Sequence, residues 1–172
     1  MPKIIENVRE ELLRETKRQL DERGYEGTTI RSVAAATGIG IGTVYNYFKS
    51  KDVLIASFML EDWRVALDKM RSPKDRTPRG VLFAVYDALS EFKKAHISLF
   101  SDHEAAKSFN TSHSVYHRTL RGQIASIVAP VSSKIGKNPD FTAEFIAESL
   151  IAWTMEERDF DEVYSVLESI IK

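Results

Sequence analysis

Hydroxyls, phenols and cations crowd the stretch from Thr28 to Lys51, TTIRSVAAATGIGIGTVYNYFKSK, at spacings that suit contact with a row of phosphates. Thr28, Thr29, Arg31, Thr43, Tyr45, Asn46, Tyr47 and Lys51 all carry hydrogen-bonding side chains. Gly40, Ile41 and Gly42 stand among them without one. Hydroxyls, phenols and ammonium groups bond phosphate oxygens, and short side chains let a helix approach the edges of bases. The same groups could also belong to an ordinary helical bundle, with the aromatics in its core and Lys51 as a solvated end charge.

Two short helices must position these groups. Thr28 or Thr29 offers an oxygen to the free amides of a first turn. Ile30, Val33 and Ala34 then share one face at the i, i+3, i+4 spacing, while Arg31 and Ser32 point away. Gly38 suits a sharp turn that needs positive φ, and Ile39 plugs that turn. From Gly40 or Ile41 a second helix sends Val44 and Phe48 inward, and leaves Ile41, Gly42, Thr43, Tyr45, Asn46 and Tyr47 outward. Ser50 caps the next helix, which places Lys51 at its positive end. The arrangement is a helix-turn-helix.

The segment Gly24-Tyr25-Glu26-Gly27-Thr28-Thr29-Ile30, then Ala34, Gly38, Thr43-Val44-Tyr45, Phe48 and Ser50-Lys51, resembles the N-terminal domain of the TetR family of transcriptional regulators. The likeness covers roughly the first third of the chain. It implies an all-α homodimer, with a three-helix DNA-binding domain at residues 1–50 and a helical ligand-binding and dimerisation domain at 51–172. It also implies that Thr29, Arg31, Thr43, Tyr45, Tyr47 and Lys51 lie where relatives touch DNA. Gly40 departs from the pattern, since Ser or Thr is common there, and Gly42 adds a second flexible residue. Each mid-helix glycine costs about 1 kcal/mol relative to alanine. The expected recognition helix is partly loose until DNA orders it.

The 172 residues hold no cysteine, which removes disulfides and thiolate chemistry. Residues 1–51 carry nine Lys or Arg against seven Asp or Glu, a net +2, and the remainder carries fifteen against eighteen, a net −3. The basic excess lies at the proposed DNA-binding end, though it is small, so neutral hydrogen bonds must share the work. The N-terminus MPKIIENVREELLR has no apolar signal core. The uncharged run Gly122 to Ser133 is too short to span a bilayer. The cytoplasm is the expected compartment.

Helical periodicity continues along the chain. Ile5, Val8, Leu12, Thr16 and Leu20 form the seam of a first helix that stops at Gly24. After the linking helix from Asp52 to about Met70, the polar run 72–78 reads as a loop. Helices are expected near 79–94, 96–109, 113–136, 140–157 and 160–171, with turns at Asn110-Thr111-Ser112 and Gly136-Lys137-Asn138-Pro139. In the resemblance the last two helices pair with those of a second subunit, which assigns Phe145, Trp153, Tyr164 and Leu167 to a dimer interface. Phe58, Trp63, Phe83, Tyr86, Phe100, His103 and Tyr116 fall where relatives enclose an effector, here a small apolar or aromatic molecule. At helical spacing each can equally be packed core.

All four histidines, His96, His103, His113 and His117, fall within 22 residues. His113 and His117 have the four-residue spacing by which one helix face offers two nitrogens to a metal. They flank an expected helix start, however, where polar residues are ordinary, and no metal or cofactor is assigned. Nor does the chain read as an enzyme: it has no nucleophile elbow, and the GxGxG of Gly38, Gly40 and Gly42 follows a helix rather than a strand. Two roles fit the fold. One is a repressor that leaves a palindromic operator when a small ligand binds. The other is a helix-turn-helix controlled by, or docking on, a protein partner.

Overall fold

Gly24 breaks the first helix where its sequence predicts a stop. In the computed structural model α1 runs Val8–Gly27, but Gly24 adopts φ 69° and ψ −175°, outside the helical region and strained for any residue with a Cβ. The structure describes residues 7–132 and 138–171, with side chains except at 106–116. Among the described residues there are helices and no strand. After α1 come α2 (Ile30–Thr37), α3 (Ile41–Tyr47), α4 (Lys51–Arg71), α5 (Pro78–Ala95), α6 (Ile97–Phe100), α7 (His103–Ser132), α8 (Pro139–Met155) and α9 (Phe160–Ile171).

The described residues group into two units. The first extends to Asp62 and takes in His96–Thr111, and the second comprises Trp63–Ala95 and Ser112 onward. The first unit thus reaches past the boundary expected at residue 50. Its core gathers Leu12 and Leu20 of α1, Val33 of α2, Val44 of α3, Phe48, and Leu54, Ile55 and Phe58 of α4, with Leu99 of α6. Leu12, Leu20, Val33, Val44 and Phe48 are residues that helical spacing in the sequence places inward. Ile5, on the expected seam, lies outside the described residues.

In the second unit Leu82, Val85 and Leu89 of α5 meet Ile146 and Leu150 of α8, Ile124 and Val128 of α7, and Phe160, Val163 and Leu167 of α9. Asn138 caps α8 by accepting from the Phe141 amide at 3.1 Å. The remainder of the expected turn at 136–139 begins outside the described residues.

The turn expected at Asn110-Thr111-Ser112 does not exist: α7 passes through it without a break. Polar residues alone do not end a helix when neither Gly nor Pro is present. The cap lies earlier, at Asp102, whose carboxylate accepts from the Glu104 and Ala105 amides at 2.9 and 3.0 Å.

Candidate nucleic-acid interface

Thr29 opens α2 with a reciprocal cap. Its Oγ1 accepts from the Ser32 amide at 3.0 Å, and its own amide donates to Ser32 Oγ at 3.0 Å. Ser32 Oγ also donates to Gln19 Oε1 at 2.5 Å, which ties α2 to a buried amide of α1. Gln19 in turn donates to Glu15, whose carboxyl the Arg18 guanidinium holds at about 2. The orientation of α2 is therefore fixed by polar contacts as well as by Ile30 and Val33. Thr28 is not part of an exposed surface, contrary to expectation: it is buried, and its hydroxyl donates to the Gly24 carbonyl at 2.9 Å.

At the turn, Gly38 sits at φ 69° and ψ 14° and Ile39 is buried, as the sequence predicts. Gly40 holds the N-cap position of α3 with no side-chain cap, although its carbonyl accepts from the Thr43 and Val44 amides at 2.8 and 3.1 Å. Val44 and Phe48 anchor the helix inward. Outward, Ile41, Tyr45 and Tyr47 are 40%, 46% and 48% exposed, and Gly42, Thr43 and Asn46 are exposed with them. Thr29 and Arg31 are also exposed on the α2 side. A seven-residue helix held by two buried side chains thus presents a continuous outer face.

Lys51 has a different setting from the one expected. Ser50 Oγ accepts from the Val53 amide at 3.2 Å and caps α4. The Lys51 ammonium, however, donates to the Tyr25 carbonyl at 2.5 Å and lies 3.5 Å over the Tyr25 ring. Burial pulls its pKa down, against the nearby charges of Asp52, Asp102 and Glu26. Tyr25 OH donates to Asp52 Oδ1 at 2.5 Å. Asp102, its carboxyl held low by the Ala105, Glu104 and Tyr25 amides, closes the same network. The sequence reading missed Gln19, Tyr25 and Asp102 as positioning residues. Only for Asp102 was there a local signal, an acidic residue just ahead of the helical run HEAAK.

A match to a known family lies over this region. Residues 12–58 fit the family model of bacterial regulatory proteins, tetR family. This stretch is similar to the N-terminal domain of TetR-family regulators. Among its relatives, the HTH-type transcriptional repressor KstR2 of Mycolicibacterium smegmatis is 30% identical over 101 residues, 55% of this chain and 48% of that protein. The HTH-type transcriptional regulator BetI of Burkholderia mallei is 39% identical over 93 residues, 51% of this chain and 48% of that one. The chain spans about half the length of the curated relatives it matches. Such TetR-family proteins are regulators, a class without catalytic activity.

Solved structures share the TetR-like fold over nearly the whole chain. Salmonella enterica GusR superposes with a TM-score of 0.65 at 18% identity, covering 98% of this chain and 96% of that one. A TetR-like transcriptional regulator from Rhodococcus sp. RHA1 gives 0.57 at 21%, with the same coverage. No described helix is long and apolar enough to cross a membrane.

The residues expected to line an effector site divide between the two units. In the first, Phe58 is buried with its ring centroid 5.1 Å from that of His96, while Phe100 and His103 are exposed. In the second, Trp63 is buried, donates to Gln123 Oε1 at 2.7 Å and meets Phe92 edge-on. Phe83 and Tyr86 both pack on Phe160, and Phe83 remains exposed. The side chains of Tyr116 and His113 lie outside the described residues. His117 Nε2 is 3.5 Å from Glu148. Among the described residues no three metal-ligating side chains come together.

Of the four residues assigned to a dimer interface, Phe145 and Trp153 are 46% and 42% exposed on α8. Tyr164 is half-buried, stacked on Phe160 at 5.7 Å beneath the Arg79 guanidinium. Leu167 must be reassigned. It is 2% exposed within a single chain and belongs to the core of its own unit, because α9 turns Val163 and Leu167 inward together and Val166 outward.

Proposed function

We propose that the chain is a DNA-binding transcriptional repressor that acts as a homodimer on a palindromic operator and leaves it when a small apolar or aromatic effector binds. The observation that carries this reading is the outer face of α3, where Ile41, Gly42, Thr43, Tyr45, Asn46 and Tyr47 are all exposed while Val44 and Phe48 anchor the helix. A soluble domain gains nothing by leaving two phenols and an isoleucine in water unless something covers them. The family match over residues 12–58 and the names of the relatives favour a duplex as that partner. The reading includes two-fold pairing, because one short recognition helix reads few bases and a second copy doubles the contact. Phe141, Phe145, Trp153 and Val166 are the exposed apolar residues of α8 and α9 available for it.

Fluorescence anisotropy with labelled duplexes tests the reading. The logarithm of the binding constant should fall linearly with the logarithm of salt concentration, with a slope of several units. Binding that barely changes with salt would instead favour a protein partner.

A further inference from the structure

We infer that Ile41 sets operator preference by packing on the 5-methyl group of a thymine, and that Gly42 is bare so that α3 can come close enough for that contact. The inference rests on the DNA-binding reading and adds to it the base that is read and the residues that read it.

Gly42 has no explanation inside the chain. Among the described residues the glycines with positive φ are Gly24 and Gly38, so Gly42 adopts a backbone open to any residue. A Cβ placed on it meets nothing within 4 Å. Alanine would fit there and would favour the helix. An exposed, helix-weakening glycine with free space above it is understood if a second body enters that space on binding and the backbone itself makes the approach.

Ile41, next to it, is apolar, exposed and β-branched, and so restricted at χ1 before anything binds. The groups around it point to the base it meets. α3 holds no Arg, Lys, Gln or Glu, so it lacks the side chains that pair with guanine or accept from cytosine. Thr43, Tyr45 and Tyr47 carry hydroxyls suited to phosphate, which position without reading sequence. Asn46 lies one helical turn beyond Gly42 and has the amide that adenine takes. Thymine is the base with an apolar group in the major groove, and an exposed isoleucine matches it.

The experiment enriches duplexes from a randomised pool with the full-length protein. Each thymine of the selected half-site is then replaced in turn by deoxyuridine, which removes the methyl alone. At one position the wild-type protein should lose about fivefold or more in affinity, and Ile41→Ala, confirmed folded by circular dichroism, should bind the thymine and uracil duplexes alike. Gly42→Ala should melt about 2–4 °C higher yet bind the selected duplex at least about tenfold more weakly. If every uracil substitution is tolerated, if Ile41→Ala keeps the discrimination, or if Gly42→Ala binds as tightly as wild type, the inference is overturned while DNA binding stands. If the wild-type protein enriches no sequence and binds no duplex with salt dependence, the DNA-binding reading falls and this one with it.

Discussion

Lys51 donates to the backbone carbonyl of Tyr25 at 2.5 Å and covers that residue's ring, so one ammonium joins the start of α4 to the chain just past the break in α1. The contact combines a charged hydrogen bond with a cation–π interaction, and both are partly shielded from water.

The first prediction follows from that geometry. Lys51→Ala should lower the unfolding free energy by about 1–2 kcal/mol, because a half-buried carbonyl loses its donor and a ring its cation. Urea denaturation followed by circular dichroism measures this. Full stability in the variant would show that the Tyr25 contact contributes nothing.

Tyr45→Phe isolates a phenol without disturbing the fold, since the ring is nearly half exposed. Binding should weaken about two- to tenfold on selected and random duplexes alike, with the salt slope unchanged, as expected for a neutral bond to phosphate. An effect confined to the selected sequence would move Tyr45 from phosphate to base.

A weakly anchored α3 should show in hydrogen exchange. Amides from Gly40 to Tyr47 should exchange faster than those from Ile30 to Ala36 in free protein, and slow when DNA is added. The contrast arises because α2 has a two-way cap while α3 has none from a side chain. Equal protection of the two helices would contradict it.

His96 predicts a pH response. Its ring is buried between Phe58 and Phe100, with Nε2 3.2 Å from Asp62 Oδ2, and Lys17 donates to the same Asp62 oxygen at 3.1 Å. Burial lowers its pKa, with Asp62 and Asp21 pulling upward and Lys17 downward. A folded value below the ordinary 6.5 means the unfolded chain binds the proton more readily. The stability is present above pH 6.5 and declines as pH falls through that value toward the folded one. His96→Phe should flatten this decline in thermal melts between pH 7.5 and 5.5, and an unchanged profile would assign it to other groups.

Leu167 and Trp153 separate core from interface. Leu167→Ala should cost about 2–5 kcal/mol of stability, because it empties space among α5, α8 and α9. Trp153→Glu should leave the fold intact and give a monomer, measured by sedimentation equilibrium, because its ring is exposed in one chain. A stable dimer in the second variant would place the interface elsewhere.

The contrast between these two residues shows what the sequence could and could not disclose. Gly24, Thr29, Gly38, Val44 and Phe48 were legible because each acts through backbone conformation or helical spacing within a few residues. Leu167 was not. Its periodicity marks an apolar face of α9, but that face meets α5 or a second subunit according to contacts far away in sequence. The same holds for Lys51, whose partner Tyr25 lies 26 positions earlier, and for Ser32, whose hydroxyl reaches back to Gln19. Continuity of α7 through residues 110–112 was hidden for a different reason: three turn-forming residues outweighed, by propensity alone, a helix whose cap had already been placed at Asp102.

The first unit, finally, is discontinuous in sequence, because His96–Thr111 completes what residues up to Asp62 begin. During synthesis the helix-turn-helix therefore leaves the ribosome before His96 and Asp102 exist to meet Asp62 and Tyr25. About fifty residues separate Asp62 from Thr111, so at roughly 5–20 residues per second the gap lasts some seconds. Over that interval the nascent domain has α1 to α3 and the first turns of α4, but neither the buried imidazole nor the Asp102 carboxylate. Its order in time follows its order in sequence: the helix-turn-helix comes first and the contacts that steady it arrive last.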